Sequence, residues 1–234
     1  MKASHIITIV SLLILLPLVI LIGCAAPVPE TVVFPDENLE KAVRDALDKP
    51  VDEAITPVEL ARLTELYATQ LGITDLSGIE YCTNLTRVQL NFSKITDITP
   101  LASLTNMNWL NLGINQINDI SPLASLTNLT ELKLHGNQIS DLSPLSSLTN
   151  LTFLRLEANQ ISDLSPLSSL TNLTYLRLEA NQISDLSPLS SLIQLEDLKL
   201  VNNRISDLSP LSSLTNLTSL RLETNQISDL SSLV

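Results

Sequence analysis

The sequence predicts an α/β solenoid in which a short strand, a turn and a return segment stack repeatedly along one axis. Three observations predict it. Residues 148–169 and 170–191 are the same 22-residue string apart from Phe153 and Tyr175, and this period runs from about Leu60 to Val234. From the third period on, two leucines two residues apart precede a fixed asparagine, the spacing of a strand with one buried side, while in the first Ala68 and Leu71 replace the usual leucine and asparagine. The composition is 44% hydrophobic but only 3% aromatic, so one aliphatic packing environment is used again and again. A unit this short cannot bury its apolar face alone and must stack on its neighbours.

The chain divides in order. Residues 1–23 read as a signal peptide, with Lys2 as a minimal positive region and a 17-residue, almost wholly apolar run from Ile6 to Ile22. That run falls short of the ~20 residues that comfortably span a bilayer. It ends in Leu21-Ile22-Gly23-Cys24, which resembles the bacterial lipobox. The resemblance implies acylation of Cys24 and a mature chain tethered outside the membrane, with residues 24–33 as the tether. Cys82 then has no intramolecular disulfide partner, and it falls where other repeats place a leucine, so it reads as a small core residue.

Residues 34–59 read as a helical N-terminal cap that covers the first repeat. Asp36 is placed to cap a helix whose apolar face is Leu39, Ala42, Val43, Ala46 and Leu47. Thr56-Pro57-Val58-Glu59 has the capping-box pattern with proline at the first helical position.

Residues 60–234 form about eight leucine-rich repeats, starting at Leu60, Cys82, Leu104, Leu126, Leu148, Leu170, Leu192 and Leu214. Leu132 and Leu134 point inward from their strand, so Glu131, Lys133 and His135 point outward. Strands ~4.8 Å apart would give a parallel concave sheet roughly 40 Å wide. The asparagine column (Asn115, Asn137, Asn159, Asn181, Asn203, Asn225) reads as an internal ladder that satisfies backbone groups where the chain turns. The return segment, Ile139 to Leu145 in one repeat, has room only for a 3₁₀-like turn on the convex side. Its aspartate recurs from Asp75 to Asp229 every 22 residues and reads as a turn cap rather than a calcium ladder, because nothing gathers further oxygen ligands around it.

The 22-residue repeat with its NQISDLSPL turn, the leader FPDENLEKAVRDAL and the entry LGITDLSGIEYCTNL together resemble the internalin family of bacterial surface proteins. The resemblance implies a curved solenoid with a helical cap that binds a protein partner on its concave face. Two departures are expected: no immunoglobulin-like domain follows the repeats, and an N-terminal lipid replaces a C-terminal cell-wall signal.

The outward strand positions make three columns. The first holds Arg87, Trp109, Glu131, Phe153, Tyr175, Asp197 and Ser219; the second Gln89, Asn111, Lys133, Arg155, Arg177, Lys199 and Arg221; the third Asn91, Gly113, His135, Glu157, Glu179, Val201 and Glu223. Trp109, Phe153 and Tyr175 are expected to be exposed, and aromatics beside arginines are the composition of protein-binding hot spots. The candidate ligand-binding residues are therefore Trp109, Lys133, Phe153, Arg155, Glu157, Tyr175, Arg177, Glu179, Lys199 and Arg221. A solvated salt-bridge lattice of Arg155, Glu157, Arg177 and Glu179 is the plainer alternative, and it leaves the aromatics unexplained.

Other classes of function are less well served. A net charge of -12 disfavours nucleic acid. Glu157 and Glu179 would stand side by side as glycosidase carboxylates do, but that spacing follows from duplication, and the neighbouring arginines are expected to keep both ionised. His135 is the only histidine outside the signal segment, so no metal centre, cofactor or enzymatic activity is expected. A glycan would lean on Trp109 and Tyr175 as stacking platforms, and a passive envelope scaffold would need neither aromatics nor cations. End-to-end self-association through Leu217, Leu220, Leu222, Ile227, Leu230 and Leu233 is a further expectation, from the uncovered face of the last repeat.

Overall fold

The computed structural model describes residues 30–231. Cys24 and the rest of the leader, with the last three positions including Leu233, lie outside the described residues. Helix α1, Glu37–Leu47, is capped by Asp36, whose Oδ1 accepts from the amides of Asn38 and Leu39 at 3.0 Å. Leu39, Ala42 and Val43 are its buried face. The single turn α2, Pro57–Leu60, carries the full capping box between Thr56 and Glu59. An antiparallel bridge between Val32 and Ile55, with both side chains buried, closes the cap.

The Asp36 carboxylate also has a second task. Its Oδ2 accepts from the Thr74 amide at 2.7 Å and from the Thr74 hydroxyl at 3.1 Å, so one residue caps α1 and pins it to the first repeat. Burial pushes this carboxyl up, but the Thr74, Leu39 and Asp75 amides outweigh it and hold the group below the usual carboxylate range.

Eight three-residue strands follow, from β1 (Glu65–Tyr67) to β8 (Ser219–Arg221), as one parallel sheet in sequence order. Register is one repeat per strand: Leu110, Leu132, Leu154, Leu176, Leu198 and Leu220 pair in succession. The convex side returns through 3₁₀ segments such as Ser143–Ser147 and Ser165–Ser169. Each is preceded by its aspartate: Asp141 accepts from the Ser143 amide and Asp163 from the Ser165 amide, both at 2.8 Å. The bond recurs from Asp75 to Asp229, so this column is a series of turn caps.

The asparagine ladder runs through the interior. Asn137 donates to the carbonyls of Leu112 at 3.1 Å and Leu134 at 2.9 Å, and accepts from the Ile117 amide at 3.0 Å. Asn159, Asn181, Asn203 and Asn225 repeat the pattern. Between this ladder and the 3₁₀ turns lies one continuous aliphatic core with Cys82 inside it. Burial, with the Glu80 charge behind it, pushes the Cys82 thiol up to about 12, consistent with its reading as a packing residue. The last described repeat is less covered: Leu217, Leu220, Leu222 and Ile227 are half-buried and Leu230 is 59% exposed. Among the described residues, no helix is long and apolar enough to cross a membrane.

Candidate functional site

The strand register assembles the concave columns as the alternation requires. Arg87, Trp109, Glu131, Phe153, Tyr175, Asp197 and Ser219 are successive partners, and so are Asn111, Lys133, Arg155, Arg177, Lys199 and Arg221. The third column lies just past the strands, where the ladder continues through the carbonyls of His135, Glu157 and Glu179.

Within the first two columns, aromatic rings and cations interleave. The Phe153 and Tyr175 rings stack in parallel, 4.1 Å between centroids and 5° between planes. Lys133 Nζ reaches across both neighbours, 4.8 Å from the Trp109 ring and 5.3 Å from the Phe153 ring. Arg87 lies 4.9 Å from the Trp109 ring, and Arg177 lies 5.1 Å from the Tyr175 ring while bonding its hydroxyl. The indole N–H of Trp109 donates to Glu131 at 2.8 Å.

This corrects one expectation. Trp109 does point away from the core, but Arg87, Lys133 and Glu131 cover it until only 8% of it is exposed. Alternation along the strand sets the side a residue faces. How much solvent remains there is set by long side chains from adjacent strands, which no single repeat reveals. Phe153 and Tyr175 are half-buried, and Arg221 at the far end is exposed.

The charged lattice is present alongside the aromatics. Arg155 pairs with Glu157, Arg177 lies 3.8 Å from Glu179, and Lys199 lies 4.0 Å from Asp197. The long Arg177–Glu179 pair leaves the carboxylate poorly compensated. Burial pushes the Glu179 carboxyl up, with Glu157 repulsion in the same direction, against Arg177 and Lys199. The neighbouring arginines therefore do not lower the Glu179 carboxyl below its ordinary value, because desolvation outweighs a distant guanidinium. One oxygen of each of Glu157, Glu179 and Asp197 is buried without a hydrogen-bond partner.

His135 occupies a socket that the sequence did not disclose. A Cβ at Gly113 would sit 2.1 Å from its imidazole, so the glycine leaves room for the ring on the neighbouring strand. Burial first, then Arg155 and Lys133 against the pull of Glu157, holds its pKa below the ordinary value and favours the neutral ring. Arg87, Glu131 and His135 join the candidate residues on this evidence; their place in the columns was the only signal in the sequence.

Chemically the surface is a rigid array of rings, cations and carboxylates in near balance, on a chain whose net charge is -12. A family model for leucine-rich repeats matches residues 105–147, 149–191 and 193–234. Internalin C2 of Listeria monocytogenes is 44% identical over 90% of this chain and 93% of its own, with a TM-score of 0.85. An internalin F from the same organism is 37% identical over 89% of this chain and 75% of its own, with a TM-score of 0.57. A leucine-rich-repeat protein of Leptospira interrogans is 27% identical over 66% of this chain and 47% of its own, with a TM-score of 0.62. No curated protein sequence matches the chain.

Proposed function

Given that the chain belongs to the internalin-like leucine-rich-repeat proteins, we propose that it recognises a protein partner through its concave face while tethered outside the membrane by lipid on Cys24. The observation that carries the recognition reading is the interleaved array of Trp109, Lys133, Phe153, Tyr175 and Arg177 on adjacent strands. Its rings and cations are held by one another, so little conformational freedom is lost when a partner docks. Arg155, Glu157, Glu179, Lys199 and Arg221 surround it with charges that fix orientation and speed encounter.

The same geometry speaks against a sugar platform. Stacking a glycan needs an open aromatic face, but Arg87 and Lys133 lie over Trp109, and Phe153 and Tyr175 face each other. A passive scaffold would not need bulky rings on a solvent-facing column. The test is retention of a binding protein by the mature chain and by Tyr175→Ala/Arg177→Glu. Loss of at least about tenfold in affinity is expected for the variant. Equal retention by both chains sinks the concave reading. For the tether, Cys24→Ala is expected to accumulate as precursor and to leave the detergent phase. A normally cleaved, unmodified N-terminus in that variant would overturn lipidation.

A further inference from the structure

One backbone position per repeat is left-handed throughout the solenoid. Gln70, Phe92, Ile114, Gly136, Ala158, Ala180, Asn202 and Thr224 have φ between 54° and 64°. The reason is local. The amide of this residue makes a rung to the next repeat, as Ile114 does to the His135 carbonyl at 2.7 Å, close to where the chain turns out of the sheet. Glycine and asparagine meet this demand at modest cost, as at Gly136 and Asn202, while Gln70, Ala158, Ala180 and Thr224 carry the ordinary Cβ penalty. A bulky ring or a side chain branched at Cβ is poorly suited to it.

Phe92 and Ile114 nevertheless occupy this position on consecutive repeats, and neither is buried in exchange: Phe92 is 47% exposed and Ile114 is 40% exposed. Leu71, 41% exposed, extends the strip beside Gln70 on the first repeat. From Gly136 onward the same rim carries no large apolar residue. Strained backbone carrying exposed apolar side chains costs stability without filling the core, a combination that points to use.

The strip is too small to hold a second copy of this chain alone, since stable interfaces bury about 1,200–2,000 Å². It adjoins the concave columns at Asn91 and Gly113, so its occupant is the partner that lies on that face. Its surroundings state the chemistry. Lys94 flanks it two residues beyond Phe92, is exposed, and among the described residues has no carboxylate within 4.0 Å. We infer that the rim formed by Phe92 and Ile114 is a docking strip for a protein segment that presents an apolar anchor beside carboxylates. The inference rests on the concave-face reading only for the class of partner.

The experiment is selection of a displayed library of random linear peptides on the full chain, in parallel with Phe92→Asn/Ile114→Asn. Asn202 shows that the position accepts asparagine. Enriched peptides should pair an aromatic or aliphatic residue with Asp or Glu. They should bind the double variant about tenfold more weakly, and lose affinity again on Lys94→Glu. Thermal unfolding of the double variant should stay level or rise by about 2–4 °C as strain is relieved. Equal enrichment on both chains, no enrichment at all, peptides without carboxylates, or a melting temperature lowered by the asparagines would each overturn the inference. Peptides that depend on Tyr175 and Arg177 but not on Phe92 and Ile114 would sink the rim and leave the concave reading standing. The reverse pattern would do the opposite.

Discussion

The two faces of the solenoid are built from the same 22-residue unit and obey different rules. On the convex face one solution recurs almost unchanged: Asp, then Ser-Pro-Leu-Ser-Ser, with the aspartate accepting the amide two residues on at 2.8 Å. On the concave face the first column shows Arg87, Trp109, Glu131, Phe153, Tyr175, Asp197 and Ser219, and no residue type recurs. Every convex turn meets the same geometric demand, so every repeat answers it alike. Concave side chains support no aliphatic core, so the first column is free to differ, and it does, while the second keeps cations from Lys133 to Arg221. A uniform scaffold and a variable surface lie on opposite sides of one solenoid.

That contrast can be broken deliberately. The largest effect is expected from Leu154→Ala, which removes a fully buried side chain between adjacent strands and should cost about 2–5 kcal/mol. Its strand neighbour Phe153 faces the other way, so Phe153→Ala should cost clearly less, as read by denaturant unfolding. A cost for Phe153→Ala equal to that of Leu154→Ala would erase the distinction between the faces.

Asn137→Ala tests the ladder between them. It strands the Ile117 amide in the interior and removes one of two asparagine donors from each of the Leu112 and Leu134 carbonyls, and a loss of about 1–3 kcal/mol is expected. Hydrogen exchange should locate the damage at Ile117 and its repeat.

Trp109→Ala sharpens the comparison, because this concave residue is covered like a core residue. It should lower stability by about 1–2 kcal/mol, through lost cation–π and packing contacts, while Tyr175→Ala at a half-buried position costs less. Equal costs would mean that the cations over Trp109 contribute nothing.

The smallest effect concerns acid. The Asp36 carboxyl is held below its ordinary value, so its contribution is full above about pH 4 and fades as pH falls through the lowered folded value. The stability gap between the natural chain and Asp36→Asn should therefore be widest near neutrality and narrow below about pH 4. A gap that stays constant across that range would show that the carboxylate charge is not what pins α1 to Thr74.

Much of this architecture was legible because repetition amplifies weak signals. A leucine pair two apart is a poor strand predictor once and a strong one six times, and the same arithmetic placed Lys133, Arg155 and Arg177 in one column. What stayed hidden depends on neighbours across repeats. Nothing in the string around Trp109 says that Arg87 and Lys133, one repeat to either side, will close over its ring. Nothing around Asp36 points to Thr74, because that contact joins a non-repetitive cap to the solenoid. The left-handed position was faintly visible in Gly136, but Phe92 and Ile114 at the same place argue against it until φ is seen. The upward shift of the Glu179 carboxyl stayed hidden because sequence gives the sign of its neighbours and not their distance or its burial.

The asparagine ladder has a consequence for how such a chain can change in length. Each asparagine reaches back to the carbonyl 25 residues earlier and receives the amide 20 residues earlier, so each bond between units is written relative to the preceding unit. Excision of one whole unit, or its duplication, leaves each remaining asparagine facing an equivalent neighbour. Residues 148–169 and 170–191 differ at one position, the relic that copying a unit would leave. Each such event would lengthen or shorten the concave face by one strand, about 4.8 Å, and shift Lys199 and Arg221 against Trp109 by that step. A lineage could thus fit its footprint to a partner by counting units, with no rung of the ladder needing redesign.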